Sequence, residues 1–66
     1  EQTSRQFKRS IYVSKDIKAG EEFTTENIKI IRPGDGLEPK HIDKVLGKVA
    51  AKDLVKGTPL SWSILV

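Results

Sequence analysis

The sequence predicts a small α+β domain made mostly of short strands and loops, with one short helix. Three observations support this fold class. Apolar β-branched and aromatic residues occur in short runs, such as residues 11–13 and 30–31, which suit short strands. Residues 40–46 place apolar side chains at helical spacing. Finally, one ten-residue pattern occurs twice, at residues 15–24 and 52–61.

The length and composition indicate one folded domain with a limited core. A chain of 66 residues buries roughly 60% of the surface that its unfolded form exposes. Apolar residues make up 36% of the chain and charged residues 32%, a balance typical of a globular domain. There is no Cys, so no disulfide or thiolate metal site can supplement the core.

The strand predictions follow the apolar runs. Residues 11–13, 29–31 and 48–50 are each predicted to form a short strand. Thr24 or Thr25 is predicted to cap one helical turn that ends at Ile28. The last nine residues are predicted to be extended, with room for one turn.

The predicted helix spans residues 40–46, with Pro39 as its first residue. Ile42, Val45 and Leu46 lie at i, i+3 and i+4 and therefore share one face. Proline suits the first position of a helix, and Gly47 suits its end. A turn is predicted at residues 33–36, just before this helix, because these residues include one Pro and two Gly.

The repeated pattern is Lys-Asp, an aliphatic residue, two further residues and a Gly. The two copies are separated by a constant offset of 57 − 20 = 37 residues, counted from Gly20 to Gly57. A Gly at the same place in each copy predicts the same tight turn. The repeat therefore predicts a pseudo-two-fold arrangement of short strands and loops, with the helix connecting the halves.

No arrangement of residues in this sequence is typical of a catalytic or metal site. The sequence has no Ser/His/Asp or Cys/His pattern, no phosphate-binding Gly-rich loop and no acidic cluster with metal-ligand spacing. His41 is the single histidine and is predicted to be an exposed helix residue. We therefore expect no catalytic residue and no cofactor in this domain.

The charge pattern does not favour nucleic acid or membrane as a partner. The net charge is +3, but only Arg5, Lys8 and Arg9 crowd together, and the aromatic residues are not interleaved with basic ones. A membrane span needs about 20 apolar residues, and no such run is present. We expect neither partner.

Three motifs in fixed order resemble the SAF, or antifreeze-like, domain at the C-terminus of bacterial sialic acid synthases and their legionaminic and pseudaminic acid relatives. They are RPGDG at residues 32–36, LGK at residues 46–48 and KDLVKGT at residues 52–58. The resemblance implies an antifreeze-like (β-clip) fold for residues 9–66. It also implies that residues 1–8 are a linker from a catalytic barrel, in a cytoplasmic enzyme.

The resemblance also implies a function. The parent enzymes condense phosphoenolpyruvate with N-acetylmannosamine or a related N-acyl sugar in a barrel that depends on a divalent metal, Mn or Mg. Their C-terminal domain crosses over in a domain-swapped homodimer, covers the partner subunit's active site and supplies an arginine that bonds the sugar's N-acyl group. Arg32 matches that position and is the predicted substrate-binding residue. The isolated domain itself is expected to be non-catalytic.

Several alternatives stand beside these expectations. Without the family, Arg32 reads as a surface residue, and Asp35 and Glu38 as ordinary turn residues. Trp62 suits a core position, a binding interface or a contact with the barrel.

Two rival functions share the fold. Fish type III antifreeze proteins resemble this chain in length, yet five of residues 15–22 are charged, and hydrated charges do not suit an ice-binding face. The other rival is a flagellar or pilus assembly chaperone, in which this domain would bind protein or glycan.

Overall fold

Short strands and loops make up most of the chain in the computed structural model, which describes residues 8–66. Strand β1 is Ser10–Val13 and strand β2 is Ile28–Ile31. A 3-10 turn, Pro39–His41, leads into helix α1, Ile42–Val45, and another 3-10 turn is Trp62–Ile64. The strands predicted at residues 11–13 and 29–31 and the short helix are thus present. The linker predicted for residues 1–8 lies outside the described residues, apart from exposed Lys8.

Strand β1 lies at the centre of the structure. It pairs antiparallel with β2, so that Ser10 faces Ile31 and Val13 faces Ile28. Its other edge is also bonded, because the Leu60 N–H donates to the Ile11 carbonyl at 3.0 Å. With partners on both edges, all four residues of β1 are buried, whereas only the first residue of β2 is.

The strand predicted at residues 48–50 does not form as a continuous strand, and this prediction is wrong. Val49 makes an isolated bridge to Glu22, and Ala50 makes one to Leu65. Since the bridge partner changes from one residue to the next, no ladder of consecutive pairs develops.

Helix α1 is shorter than predicted because its first turn winds as a 3-10 helix. Pro39 has no N–H, and the His41 N–H donates to the Glu38 carbonyl three residues back, at 3.0 Å. The α-helix ends at Val45, because its C-cap Leu46 is extended with ψ of 131°, and Gly47 follows with φ of +94°. Val45 is fully buried, which fits the predicted apolar face.

The predicted helical turn after Phe23 is a hydrogen-bonded turn without a helix. Thr24 does cap it: its hydroxyl accepts from the Glu26 N–H at 3.2 Å. The Asn27 side-chain carbonyl in turn accepts from the Thr24 N–H at 2.8 Å. Ile28, predicted to end this turn, begins β2 instead, because its side chain is needed in the core.

The two copies of the repeat bond to each other through the backbone. Ile17 and Leu54, which are equivalent in the repeat, exchange both hydrogen bonds: Ile17 N–H to Leu54 O at 2.8 Å and Leu54 N–H to Ile17 O at 2.7 Å. The two equivalent turns of the repeat use Gly20 and Gly57 at φ of +86° and +92°. This left-handed conformation is costly for residues with a Cβ, which explains why Gly stands there.

Each copy also uses its aspartate to bind the other copy. The Asp53 carboxylate accepts from the Ala19 N–H at 2.8 Å. The Asp16 carboxylate accepts from the Lys56 N–H at 2.9 Å. Asp16 and Asp53 are equivalent in the repeat, as are Ala19 and Lys56, since 53 − 16 = 56 − 19 = 37 residues. The two copies therefore exchange equivalent bonds.

The same exchange continues along the flanking segments. Gly20 N–H donates to Ala50 O and Gly57 N–H donates to Val13 O, each at 2.8 Å. The backbone N–H and C=O groups outside the strands and helices are therefore satisfied by pairs of long-range hydrogen bonds.

The core fills the space between these paired segments. Its buried members are Ile11, Val13, Ile17, Phe23, Ile28, Val45, Ala50, Leu54, Leu60 and Ile64. Phe23 and Leu60 occupy equivalent positions of the repeat and are each 1% exposed. The apolar residue after each Gly turn thus folds inward, as the pattern predicts.

We predict that the two aspartates contribute equally to stability. Asp16→Ala and Asp53→Ala each remove the acceptor of one backbone N–H, comparable to loss of a helix cap, and should lower the free energy of unfolding by about 1 kcal/mol. Urea denaturation of the 66-residue chain measures this loss.

Glu22→Ala is the matched control, since this acid is exposed and its carboxylate bonds no backbone group within residues 8–66. It should change the free energy of unfolding by less than about 0.5 kcal/mol. Aspartate variants that unfold like the Glu22 variant would contradict the exchanged bonds.

Candidate functional site

Arg32 directly follows β2 and begins the turn that leads to the helical segment. Its side chain is exposed, as is that of Ile31 before it. The Arg32–Pro33 peptide bond is cis. Arg32 therefore stands at the boundary between a paired strand and a turn, with its side chain on the protein surface.

Two hydroxyl groups of β1 hold the turn by one carbonyl. The Ser10 hydroxyl donates to the Pro33 carbonyl oxygen at 2.8 Å. The Tyr12 hydroxyl donates to the same oxygen at 2.9 Å. A carbonyl oxygen has two lone pairs, so both acceptor sites of Pro33 are occupied by side chains of one strand. Ser10 and Tyr12 lie two residues apart and therefore project to the same side of β1.

The far end of the turn is attached to the same strand. The Gly36 N–H donates to the Ser10 hydroxyl at 3.1 Å. Leu37, the next residue, is bonded through both of its backbone groups. Its N–H donates to the Leu60 carbonyl and its carbonyl accepts from the Ile11 N–H, each at 2.9 Å. Ser10 thus joins the two ends of the turn through one buried hydroxyl.

Gly36 is required by close backbone contact. A Cβ added there would lie 2.9 Å from the Ile11 carbonyl oxygen and 2.9 Å from the Leu60 nitrogen. Both are backbone atoms of the core strand region and cannot move aside as a flexible side chain can. The second Gly of the RPGDG motif therefore lets the turn lie directly against β1.

The backbone on each side of Arg32 is consequently fixed to β1. Before it, Ile31 is paired with Ser10; after it, Pro33 is bonded by Ser10 and Tyr12. Side chains on such braced backbone are presented with less freedom than those on open loops. The arrangement suits an arginine that must meet a ligand in one orientation, because its planar fork of donors is directional.

The other charged residues of this segment have less definite roles. Glu38 lies 3.5 Å from the Lys40 ammonium, and both side chains are mostly exposed. An exposed ion pair of this kind contributes little to stability. Asp35 is exposed.

His41 and Trp62 form an aromatic pair on the surface. Their ring centroids are 5.3 Å apart with the planes at 71°, an edge-to-face contact. His41 is half-buried rather than exposed as predicted, and the Trp62 ring is in contact with it. Trp62 is 47% exposed and lies outside the buried core cluster, so the alternative that placed it in the core is excluded.

A shallow depression lies between the two repeat loops. It is lined by Asp16, Ile17, Lys18, Asp53, Leu54 and Val55. Both aspartates already accept backbone hydrogen bonds across the loops, so their structural role accounts for them.

Within residues 8–66, no three His, Cys, Asp or Glu side chains lie together so that they could hold a metal ion. None of the helices in this part of the chain is long and apolar enough to cross a membrane.

Sequence reasoning missed Ser10 and Tyr12 as residues that hold the candidate site. The strand prediction for residues 11–13 rests on their apolar and aromatic character and leaves Ser10 out. The available signal was the alternation of two hydroxyl side chains with Ile11 and Val13 in one short strand. Hydroxyls buried beside a core strand need hydrogen-bond partners, and a nearby turn with free backbone groups can supply them.

Comparisons with known proteins identify the chain's relatives. The family model described as SAF domain matches residues 8–66. The chain is 52% identical over 60 residues to a pseudaminic acid synthase of Campylobacter jejuni and 51% identical over 57 residues to one of Helicobacter pylori. It is 33% identical over 55 residues to an N,N'-diacetyllegionaminic acid synthase of Legionella pneumophila.

These alignments cover most of this chain but little of each relative. They include 91%, 86% and 83% of this chain, and 18%, 17% and 15% of the three synthases, in the same order. The chain thus spans less than a fifth of the length of the curated relatives it matches.

We predict that Gly36→Ala destabilises the domain through steric overlap. The added methyl group meets backbone of Ile11 and Leu60, and overpacking of this kind should lower the free energy of unfolding by about 1–3 kcal/mol. Urea denaturation of the chain measures the change.

Gly20→Ala provides the comparison, because nothing lies within 4 Å of a Cβ added there. Its positive φ alone should cost about 1 kcal/mol. A Gly36 variant as stable as the unaltered chain would show that the turn does not lie against β1 as described.

Proposed function

Because this chain belongs to the SAF domain family, with sugar acid synthases among its relatives, we propose that it is the C-terminal substrate-capping domain of a sialic-acid-type synthase. The parent enzyme would condense phosphoenolpyruvate with an N-acyl sugar in a cytoplasmic carbohydrate-biosynthetic pathway. This domain would cover the active site formed by the barrel of the partner subunit in a homodimer.

The relatives support a pseudaminic acid synthase as the parent. The two pseudaminic acid synthases are 51–52% identical to this chain, whereas the legionaminic acid synthase is 33% identical. The substrate would accordingly be an N-acylated sugar, as the resemblance to sialic acid synthases implies.

The exchanged hydrogen bonds support an antifreeze-like β-clip fold for residues 9–66. In that fold the repeat copies would be related by a pseudo-two-fold axis between Ile17 and Leu54, which exchange both backbone bonds. The Asp16 and Asp53 bonds have the same exchanged relation.

Arg32 would act as the substrate-binding residue of this domain. The observation that carries this proposal is the turn: backbone on both sides of Arg32 is bonded to the buried strand β1 while its side chain remains exposed. An arginine presented in this way can donate to the oxygen of an N-acyl group in the partner subunit's site. The domain would therefore complete the site without performing the chemical step.

The divalent metal would belong to the rest of the parent enzyme. The described residues 8–66 do not fit a metal ion, because no three potential ligands come together there. Residues of this domain would contribute binding and exclusion of water at the partner's site, and Arg32 would orient the sugar.

Ice binding is a less suitable function for the same fold. Five charged residues of the first loop are exposed: Lys15, Asp16, Lys18, Glu21 and Glu22. Ordered water in ice cannot solvate such groups as liquid water does, and burying a charge without a partner is costly. The synthase relatives likewise favour the enzyme over an assembly chaperone.

We predict that Arg32→Ala in the full-length protein impairs use of the sugar. Removing a charge-assisted hydrogen bond of about 1.5–3 kcal/mol should lower kcat/KM for the sugar by roughly one to two orders of magnitude. The KM for phosphoenolpyruvate should change little. Arg32→Lys should restore little activity, because a point charge does not reproduce the planar fork.

The measurement is steady-state phosphate release with Mn²⁺, phosphoenolpyruvate and the best substrate from a panel of N-acylated hexoses that includes N-acetylmannosamine. Lys29→Ala is the matched control, since it removes an exposed cation three residues earlier on β2. Unchanged sugar kinetics in an intact Arg32→Ala dimer would refute the proposed role.

We predict that the 66-residue chain does not bind ice. At micromolar concentration it should give no thermal hysteresis and leave growing ice crystals unfaceted, because the first loop is charged. Nanolitre osmometry with crystal microscopy measures both properties. Faceted crystals would show that exposed charge on this loop does not prevent ice binding.

A further inference from the structure

We propose that Tyr12 is a positioning residue for Arg32, acting through the Pro33 carbonyl. This inference rests on the proposed function of Arg32 and adds the residue that sets its orientation. The Tyr12 hydroxyl donates to the Pro33 carbonyl oxygen at 2.9 Å, one residue beyond Arg32. Tyr12 itself is 7% exposed and is not a surface residue that could meet the sugar.

The hydrogen bond fixes the peptide plane that follows Pro33. Proline has its φ set by the ring, so the direction of its carbonyl is determined by the remaining rotation, ψ. Two donors from β1 hold that carbonyl from one side. Since Ile31 is paired with Ser10, the rotations of Arg32 lie between two points that are both attached to β1.

Tyr12 and Ser10 differ in what their hydroxyls do. The Ser10 hydroxyl is fully buried and bonds both Pro33 and Gly36. Its removal would leave the Gly36 N–H without its acceptor and would weaken the fold. The Tyr12 hydroxyl donates its one hydrogen to the Pro33 carbonyl. Without it, the carbonyl keeps its bond from Ser10, so no buried group is left unsatisfied.

Tyr12→Phe therefore separates orientation from stability. Phe retains the ring that packs in the interior and removes only the hydroxyl that restrains the turn. A looser turn would let the guanidinium occupy orientations that do not meet the sugar, and sites of this kind tolerate only small displacements. The loss should appear in the sugar kinetics and leave the fold intact.

The first measurement is steady-state kinetics of Tyr12→Phe in the full-length protein, by the same phosphate-release assay. We expect kcat/KM for the sugar to fall about fivefold, the scale of one restraining hydrogen bond, with the KM for phosphoenolpyruvate unchanged within about twofold. The melting temperature should fall by less than about 2 °C. A rise in the KM for phosphoenolpyruvate as large as the fall in kcat/KM for the sugar would indicate a general structural effect and would overturn the inference.

Ser14→Ala is the matched control. It removes another hydroxyl-to-carbonyl bond at the end of the same strand, from Ser14 to the Glu26 carbonyl at 3.3 Å, which is remote in sequence from the turn. Sugar kinetics should match those of the unaltered protein. A loss as large as that of Tyr12→Phe would mean that any weakening near β1 has this effect, and would contradict a specific role for Tyr12.

A double-variant comparison tests whether Tyr12 acts through Arg32. If it does, Tyr12→Phe should cost no more than about twofold when Arg32 is already alanine, because there is no guanidinium left to orient. Losses that multiply would show that Tyr12 acts independently, and the inference would be wrong.

The two proposals fail in different ways in this experiment. Normal sugar kinetics in Arg32→Ala would refute the proposed function, and the positioning role of Tyr12 with it. Impaired kinetics in Arg32→Ala together with normal kinetics in Tyr12→Phe would leave the function of Arg32 in place and overturn the inference about Tyr12 alone.

Discussion

Backbone hydrogen bonds exchanged between the two repeat loops hold this structure together. Within residues 8–66 the regular elements are two strands of four residues, a helix of four and two 3-10 turns of three. They are too short to satisfy most of the backbone hydrogen-bonding groups by themselves. Ile17 and Leu54 bond each other directly, and the Asp16 and Asp53 carboxylates each bond the opposite loop. Each loop supplies hydrogen-bond acceptors for N–H groups of the other, so neither could keep its conformation alone. The core residues that follow the Gly turns therefore depend on both loops.

The candidate site also depends on how little of the domain is strand or helix. A loop-rich domain offers few rigid surfaces, and the turn at residues 33–36 becomes rigid by attachment to β1, the strand whose residues are all buried. Two hydroxyls and one close glycine contact make that attachment. The RPGDG motif therefore combines two requirements: a glycine for close backbone approach, and an arginine outside the core whose neighbours in sequence are bonded to it.

Local sequence patterns predicted the elements that are determined by residues close together in the sequence. The strands at residues 11–13 and 29–31, the helical segment after Pro39 and the Gly turns were all visible in the sequence. One failed prediction, a strand at residues 48–50, depends on partners far along the chain, since Val49 and Ala50 bridge to Glu22 and Leu65. The position of Arg32 could be predicted from the motif, whereas its bracing could not. The bonds from Ser10 and Tyr12 span 23 and 21 residues, and no spacing rule relates a strand hydroxyl to a distant carbonyl.

Attachment to β1 also links the precision of the turn to the stability of the fold. Segments open locally with a free energy set by the contacts that must break. For the turn to release the Pro33 carbonyl and Gly36, it must lose bonds to Ser10, which is fully buried in the strand whose residues are all buried. Opening there consequently disturbs the core, unlike fraying of an exposed loop. A domain of 66 residues has only a modest margin of stability. Its turn nonetheless stays ordered as long as the core does, which gives an exposed arginine a well-defined backbone at little additional cost in chain length.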